Sequence, residues 1–363
     1  MKNSTKISLI LIALALAGTL TYFLWLKPAL STPISAPLTL PTQAPAQTQS
    51  NQETAGNTQT QTADQSNIQA PSNLPEVPIF IQPTPQPKAE PVCGKETEWL
   101  VLAVGIDYQG DGYLYGLADV IRVLRIDFVN MTVNMIALPR DLLVEAPPGR
   151  FTAPDPYKLN QGYLFGTPGM GHYLGTGEGA GALAEVIQYN FGLTVDHYGV
   201  INFDTFAKFI DAIGGVEVNL PGPVYDDELG SFPAGVQTLN GERSLALARI
   251  REGYSDAFRV DNQTLILRGV LNKLLKPNVL VRIPSLLDQF STAFLTDLSL
   301  GEIASLGTCF LRHFEGGNLR TFSEPQELLT ADRVFIPTID KEGFVYRWDL
   351  DLIDWMYSSL LNN

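Results

Sequence analysis

The chain has 363 residues, 45% of them hydrophobic, and a formal net charge of −14 at pH 7, enough for one large domain or two small ones around a sizeable core. The acidic balance excludes a general attraction to nucleic acid, so any anion site must be a local cluster of Arg or Lys. Two cysteines, Cys93 and Cys309, and three histidines, His172, His197 and His313, are too scattered for a zinc site.

Lys2 and Lys6 precede an apolar run over residues 7–26, broken only by Ser8, Gly18, Thr19 and Thr21. About 20 helical residues cross the hydrocarbon core of a bilayer. Tyr22 and Trp25 stand where interfacial aromatics belong, and Lys27 closes the run. The run predicts a single-pass membrane anchor, with residues 1–6 cytoplasmic and the globular part extracytoplasmic. A cleaved signal peptide is the alternative, because Ala15-Leu16-Ala17 has the small-x-small form. Cleavage there would leave apolar residues 20–26 on a mature terminus, which favours the anchor.

Residues 27–96 are rich in Pro, Gln, Thr, Ser and Ala. This composition predicts a disordered linker, and a coil of roughly 70 residues has an r.m.s. reach on the order of 45 Å. Cys93 lies near the linker's end and Cys309 in a C-terminal helical stretch. Outside the cytoplasm they are free to form a disulfide, whose geometry the sequence leaves open.

The globular part opens with a buried strand over residues 99–106. Further strands follow over 120–126 and 132–138, close enough for a hairpin. Residues 178–190 carry Leu183, Val186, Ile187 and Tyr189 at helical spacing, with Gly192 as a stop. A strand over 195–201 precedes a helix over 204–213 that Gly214-Gly215 terminate, then a strand over 216–220. Asn240 can cap a helix through residue 248, and Pro277 ends another over 260–276. The interleaving predicts an α/β domain over 97–277, of three-layer α/β/α type with a mixed central sheet. Residues 278–363 read as a C-terminal helical extension with helices over 286–298, 300–310 and 348–361.

The residues suited to chemistry fall in four clusters. Asp107 follows a buried strand, and Asp119 opens the next. Pro139-Arg140-Asp141 closes the hairpin's second strand. Arg249-Ile250-Arg251, Asp256, Arg259 and Gln263 form the last. Arg259 and Gln263 are one helical turn apart and share a face at a helix start, where free N–H groups favour an anion. Arginine's planar fork grips phosphate oxygens bidentately. Aspartates at strand ends are hard oxygen ligands for Mg²⁺. Taken singly, an Arg-x-Arg is more often a surface ion-pair partner, and an Asp after a strand a turn former.

In this order the motifs resemble the LytR–CpsA–Psr family of envelope phosphotransferases. The resemblance rests on Val104-Gly105-Ile106-Asp107, the strand with Asp119, Ala137-Leu138-Pro139-Arg140-Asp141 and Lys158-Leu159-Asn160-Gln161-Gly162-Tyr163. It continues through Val200-Ile201-Asn202-Phe203, Asp211-Ala212-Ile213-Gly214-Gly215-Val216, Leu239-Asn240-Gly241 and Ala248-Arg249-Ile250-Arg251 with Arg259 and Gln263. It implies transfer of a glycopolymer from a polyprenyl-pyrophosphate carrier to a wall acceptor such as peptidoglycan. By position, Asp107 and Asp119 would hold Mg²⁺. Arg140, Arg249, Arg251, Arg259 and Gln263 would bind the pyrophosphate. Asp119 is the candidate base, with Arg140 beside it in the catalytic set. The lipid tail would lie in an apolar groove near Leu265, Ile266 and Val270, residues that ordinary helix packing explains equally well.

The chain departs from the family pattern at Leu117, where the family has an arginine, at Ala118 and Val120 beside Asp119, and at Asn262-Gln263 in place of Arg-Gln. Arg122 stands three residues along the strand from Asp119 and should face the opposite side. The missing arginine leaves two alternatives to a phosphotransferase. One is a non-catalytic envelope protein that binds polyprenyl-pyrophosphate lipids or wall polymer; the other is a pyrophosphatase acting on those lipids.

Overall fold

A computed structural model describes residues 27–40, 90–108, 115–250, 256–290 and 294–362. The expected membrane span at residues 7–26 lies outside these. No helix among the described residues is long and apolar enough to cross a membrane.

In chain order the elements are α1 (Lys27–Ser31), β1 (Glu98–Ile106), β2 (Ala118–Asp127), β3 (Thr132–Ala137), β4 (Leu143–Val144), β5 (Tyr157–Lys158), α2 (Leu159–Gly166), α3 (Glu178–Phe191), β6 (His197–Asn202), α4 (Phe203–Ala212), β7 (Val216–Leu220), β8 (Val224–Asp226), β9 (Gly230–Phe232), β10 (Gly235–Leu239), α5 (Gly241–Arg249) and α6 (Asp256–Leu274). After them come α7 (Pro277–Leu280), α8 (Ile283–Gln289), β11 (Phe294–Thr296), α9 (Leu300–His313), β12 (Leu319–Phe322), β13 (Thr330–Ile336), β14 (Lys341–Arg347) and α10 (Leu350–Leu361). The central sheet has six strands in the order β11-β6-β1-β2-β3-β12. It is mixed: β1 runs parallel to β6 and antiparallel to β2.

The hairpin forms where expected. Asp127 Oδ1 accepts the N–H groups of Val129 (2.8 Å) and Asn130 (2.9 Å), which closes the turn. Burial works to raise the Asp127 carboxyl pKa, but the bonds from Asn130 and Val129 outweigh it and hold the group below the usual carboxylate range. Alternation then sorts the strands by face. Leu102, Val104, Ile106, Ile121 and Val123 pack with Tyr163 of α2, Leu183 and Val186 of α3 and Met356 of α10. A second cluster joins Ile210 of α4, Val216 and Val218 of β7, Leu247 of α5 and Ile266 of α6. The local stops are as expected. Gly192 caps α3 with φ 74°, and Gly214 and Gly215 end α4 with φ 82° and 77°.

Two expectations about the flanks change. Residues 27–40, expected as the start of a disordered linker, lie on the domain. Pro33 bridges Ser299, Ser35 N–H donates to Thr296 O (2.8 Å), and Tyr198 OH donates to Ala36 O (2.7 Å). Leu38 and Leu40 pack against the main core. A Cβ at Gly301 would sit 2.7 Å from Leu30 O, so α1 approaches α9 through a glycine. Composition averaged over the whole stretch hides these few spaced apolar residues. Nearby, Cys93 and Cys309 are joined in a disulfide with Cα atoms 6.1 Å apart.

Residues 278–363 are not helical alone: the helices expected over 300–310 and 348–361 form as α9 and α10, but strands are interleaved with them. They supply both edges of the central sheet, β11 against β6 and β12 against β3, and a hairpin of β13 and β14. The expected helix over 286–298 stops at Gln289, and Phe294-Leu295-Thr296 is strand. An apolar run this short has no period that separates strand from helix.

One ion pair locks the edge. His197 Nδ1 lies 2.9 Å from Asp297 Oδ2, and Asp297 Oδ1 accepts Tyr198 N–H (2.9 Å). Burial opposes the imidazolium, but the Asp297 hydrogen bond and charge prevail, so the His197 pKa is raised. A raised folded-state pKa gives stability that is full below the unfolded value of about 6.5 and is lost as pH rises through the folded value. Denaturation midpoints are therefore expected to fall from about pH 6 upward, and His197→Asn to lose that component of the slope. An identical pH slope in the variant would contradict the assignment.

Candidate functional site

β1 and β6 run parallel with Ile106 opposite Asn202, and ligands of open α/β sheets gather beyond such strand ends. Asp107 follows β1. Its Oδ1 accepts the Leu117 N–H (2.7 Å), and its own N–H donates to Leu117 O (3.1 Å). Asp119 sits on a β-bulge: Gly105 pairs with Val120 and Ile106 with Ala118, so Asp119 is the extra residue. A bulge breaks the alternation and re-aims a side chain.

Arg140, just past β3, donates from Nη1 to Asp119 Oδ1 (2.7 Å). Its Nε lies 3.3 Å from Asp141 Oδ2, and Lys158 Nζ donates to Asp141 Oδ1 (2.7 Å). The guanidinium is thus held between two carboxylates, one of them neutralised by Lys158. Arg249 ends α5, exposed, with its guanidinium carbon 5.9 Å from the Phe203 ring centre. Arg259 and Gln263 project from α6, and Arg259 is only 2% exposed.

A cavity of about 570 Å³ brings together Asp107, Asp119, Arg249, Arg259 and Gln263. Arg140 joins the set through Asp119. Arg251 lies outside the described residues. Sequence reasoning missed Phe203, Asp226 and Glu228, which also line the cavity. Asp226 Oδ1 accepts the N–H groups of Glu228 (3.0 Å) and Leu229 (2.9 Å). Their acidic run reads as an ordinary turn, and only the fold brings it to the cavity.

A second cavity of about 290 Å³ runs between the sheet and α4–α6, lined by Ala103, Gly105, Val120, Ile201, Ile266 and Leu267 among others. Phe203, Ala248 and Gln263 line both spaces. Of the three residues expected near a groove, only Ile266 lines it, and all three take part in the second packing cluster. Arg122 also lines the groove, which corrects the expectation that it faces away from Asp119. The bulge explains the difference, because counting residues by twos fails across Asp119.

Among the described residues no group of three or more His, Cys, Asp or Glu is arranged to hold a metal. The two carboxylates Asp107 and Asp119 do line one cavity. This donor set does not make an all-protein cage. It fits Mg²⁺ that keeps waters and shares phosphate oxygens.

Asn202 supports this end of the sheet. Fully buried, it caps α4 by accepting Thr205 N–H at Oδ1 (2.7 Å). Asn202→Ala is expected to cost about 1 kcal/mol, read as a lower denaturant midpoint at unchanged slope. An unshifted midpoint would refute the cap.

Fold and site together define a mixed α/β domain whose cavity of arginines and carboxylates shares Phe203, Ala248 and Gln263 with an apolar groove. The LytR_cpsA_psr family profile matches residues 46–335, and the chain belongs to that family. The polyisoprenyl-teichoic acid–peptidoglycan teichoic acid transferase TagU of Enterococcus faecalis is 26% identical over 209 residues, or 57% of this chain and 63% of the relative. The enzyme of the same description named TagV, from Bacillus subtilis, is 27% identical over 222 residues, or 59% and 53%. The chain thus spans less than two thirds of the length of these relatives. The crystal structure of Bacillus subtilis TagV matches with a TM-score of 0.57 at 24% identity, covering 74% of this chain and 97% of that one. TagT bound to LIIa-WTA matches at 0.54 and 18% identity, over 74% and 91%. At these identities the structural likeness shows a shared fold.

Proposed function

We propose that the chain transfers a glycopolymer from a polyprenyl-pyrophosphate carrier to a cell-wall acceptor such as peptidoglycan, with Mg²⁺. The observation that supports this most directly is the sharing of Phe203, Ala248 and Gln263 by the polar cavity that holds Arg249 and Arg259 and by the apolar groove. A pyrophosphate head and an isoprenoid tail need two such spaces joined end to end. The transferase names of the relatives agree with this reading. The membrane anchor at residues 7–26 and an extracytoplasmic domain belong to the same proposal, and a disulfide suits that side of the membrane.

Arg249, Arg251 and Arg259 neutralise the pyrophosphate, with Gln263 donating from its amide. The acceptor hydroxyl oxygen attacks the phosphorus next to the saccharide. The bond from that phosphorus to the bridging oxygen breaks, and its electron pair leaves with the lipid phosphate. The hydroxyl proton passes to a cavity carboxylate, for which Asp119 is the candidate. Arg140 orients Asp119 through its 2.7 Å contact. Mg²⁺ bound by Asp107 and Asp119 would neutralise charge on the phosphate oxygens.

Leu117 favours a second reading. At this position a backbone N–H meets Asp107 and no side-chain cation is present, so the protein would bind the lipid without turnover. One experiment separates the readings: the full chain is incubated with a polyprenyl-pyrophosphate saccharide, peptidoglycan and Mg²⁺, with and without chelator. Chelator-sensitive attachment of saccharide to peptidoglycan is expected. Product from Leu117→Arg alone would establish the binding reading. Phosphate release without attachment would establish a pyrophosphatase.

A further inference from the structure

Arg122 is a buried arginine on the groove side of β2, 2% exposed. Its cross-strand neighbours are small, Ala103 on β1 and Ala137 on β3, which leaves room for the guanidinium to reach α6. There Nη2 donates to Gln263 Oε1 (3.1 Å) and to Val260 O (3.2 Å). Gln263 Nε2 donates in turn to Ala248 O (3.2 Å).

We propose that Arg122 is a positioning residue that fixes the orientation of the Gln263 amide, so that the donor edge of Gln263 faces the anion cavity. This rests on the reading of that cavity as a pyrophosphate site. A guanidinium has only donors, so the amide oxygen must face Arg122. The NH₂ group is thereby turned the other way. One of its hydrogens goes to Ala248 O, and the second belongs to a residue that lines the cavity. Without Arg122 only the single bond to Ala248 O holds the amide, and a flip that presents its oxygen, which repels a phosphate, becomes less costly. The charge of Arg122 also stands at the junction of cavity and groove, in a chain whose position 117 is leucine.

The test uses the full chain in detergent and farnesyl pyrophosphate as probe. Arg122→Met should fold, since replacing a buried charge by an apolar side chain of similar volume is often neutral. It is expected to weaken binding about tenfold, equivalent to about 1.4 kcal/mol. Arg122→Lys, which also carries only donors, is expected to bind within about threefold of the wild type. Gln263→Glu keeps the acceptor for Arg122 but replaces the donor edge with oxygen, and should bind no better than Arg122→Met. The side-chain amide signals of Gln263, read by NMR without ligand, should be sharp in the wild type and Arg122→Lys and exchange-broadened in Arg122→Met. Wild-type binding with Arg122→Met equal to it, or Arg122→Lys as weak as Arg122→Met, overturns the proposal. No binding by the wild type defeats the pyrophosphate reading instead, and the amide signals then decide the positioning role alone.

Discussion

Arg259→Ala is expected to lower kcat/KM for glycopolymer transfer by about 10²–10³-fold, the usual cost of removing one preorganised donor from a developing negative charge. Arg259 combines two properties that the other described arginines of the site do not share. It lines the cavity, and it is 2% exposed, so water screens its charge least. Arg249, by contrast, is exposed, and its removal should cost less. Arg259→Lys keeps the charge but loses the planar fork, and an intermediate loss of about tenfold is expected from one weakened charge-assisted bond. Steady-state kinetics on purified full-length variants, with thermal melts to confirm folding, provides the measurement. A folded Arg259→Ala with wild-type kcat/KM would remove the residue from the site.

Arg150→Met should destabilise the protein by about 3–5 kcal/mol, because it strands a buried carboxylate. Glu185 lies inside α3 at 2% exposure. It is held by Arg150 Nε at 2.7 Å, by a second bond from Arg150 Nη2, and by Tyr173 OH at 2.6 Å. The pair keeps Arg150 firmly protonated. Burial, then Glu185, raises the Tyr173 hydroxyl pKa well above its ordinary value. The cluster ties the two loops that hold Phe151 and Tyr173, bridged to each other, to α3. A double variant, Arg150→Met with Glu185→Leu, should recover most of the loss, since an apolar pair can replace a buried ion pair at little cost. Chemical denaturation of the single and double variants tests both statements. Equal stability of Arg150→Met and wild type would show that Glu185 finds other compensation.

The features legible in the sequence are those decided within a turn or two of the chain. Asn240 caps α5 by accepting Arg243 N–H, Gly192 stops α3, and Arg259 and Gln263 share a face of α6 because helical spacing places them so. Most of the site residues could be found because each stands at the end of its own element, and those ends converge. What escaped depends on pairing between distant segments. The bulge at Asp119 exists only in the register with β1, so the side taken by Arg122 was beyond any count along β2. β11 and β12 are short, and their neighbours in the sheet define them. Periodicity also gave no means of choosing among Leu265, Ile266 and Val270, since all lie on a helix with packing on more than one side.

The docking of residues 27–40 has a consequence for how the protein spans distance. A leash sets reach by its length, and trimming it draws the tethered body in. Here Ser35 is paired with Thr296, and Leu38 and Leu40 pack in the domain, while residues 90–97 return to the same body through Cys93 and Cys309. The chain on either side of residues 41–89 therefore belongs to one unit. The separation between Lys27 and the cavity is set by these docked contacts and is expected to stay unchanged when residues 41–89 are shortened or lengthened.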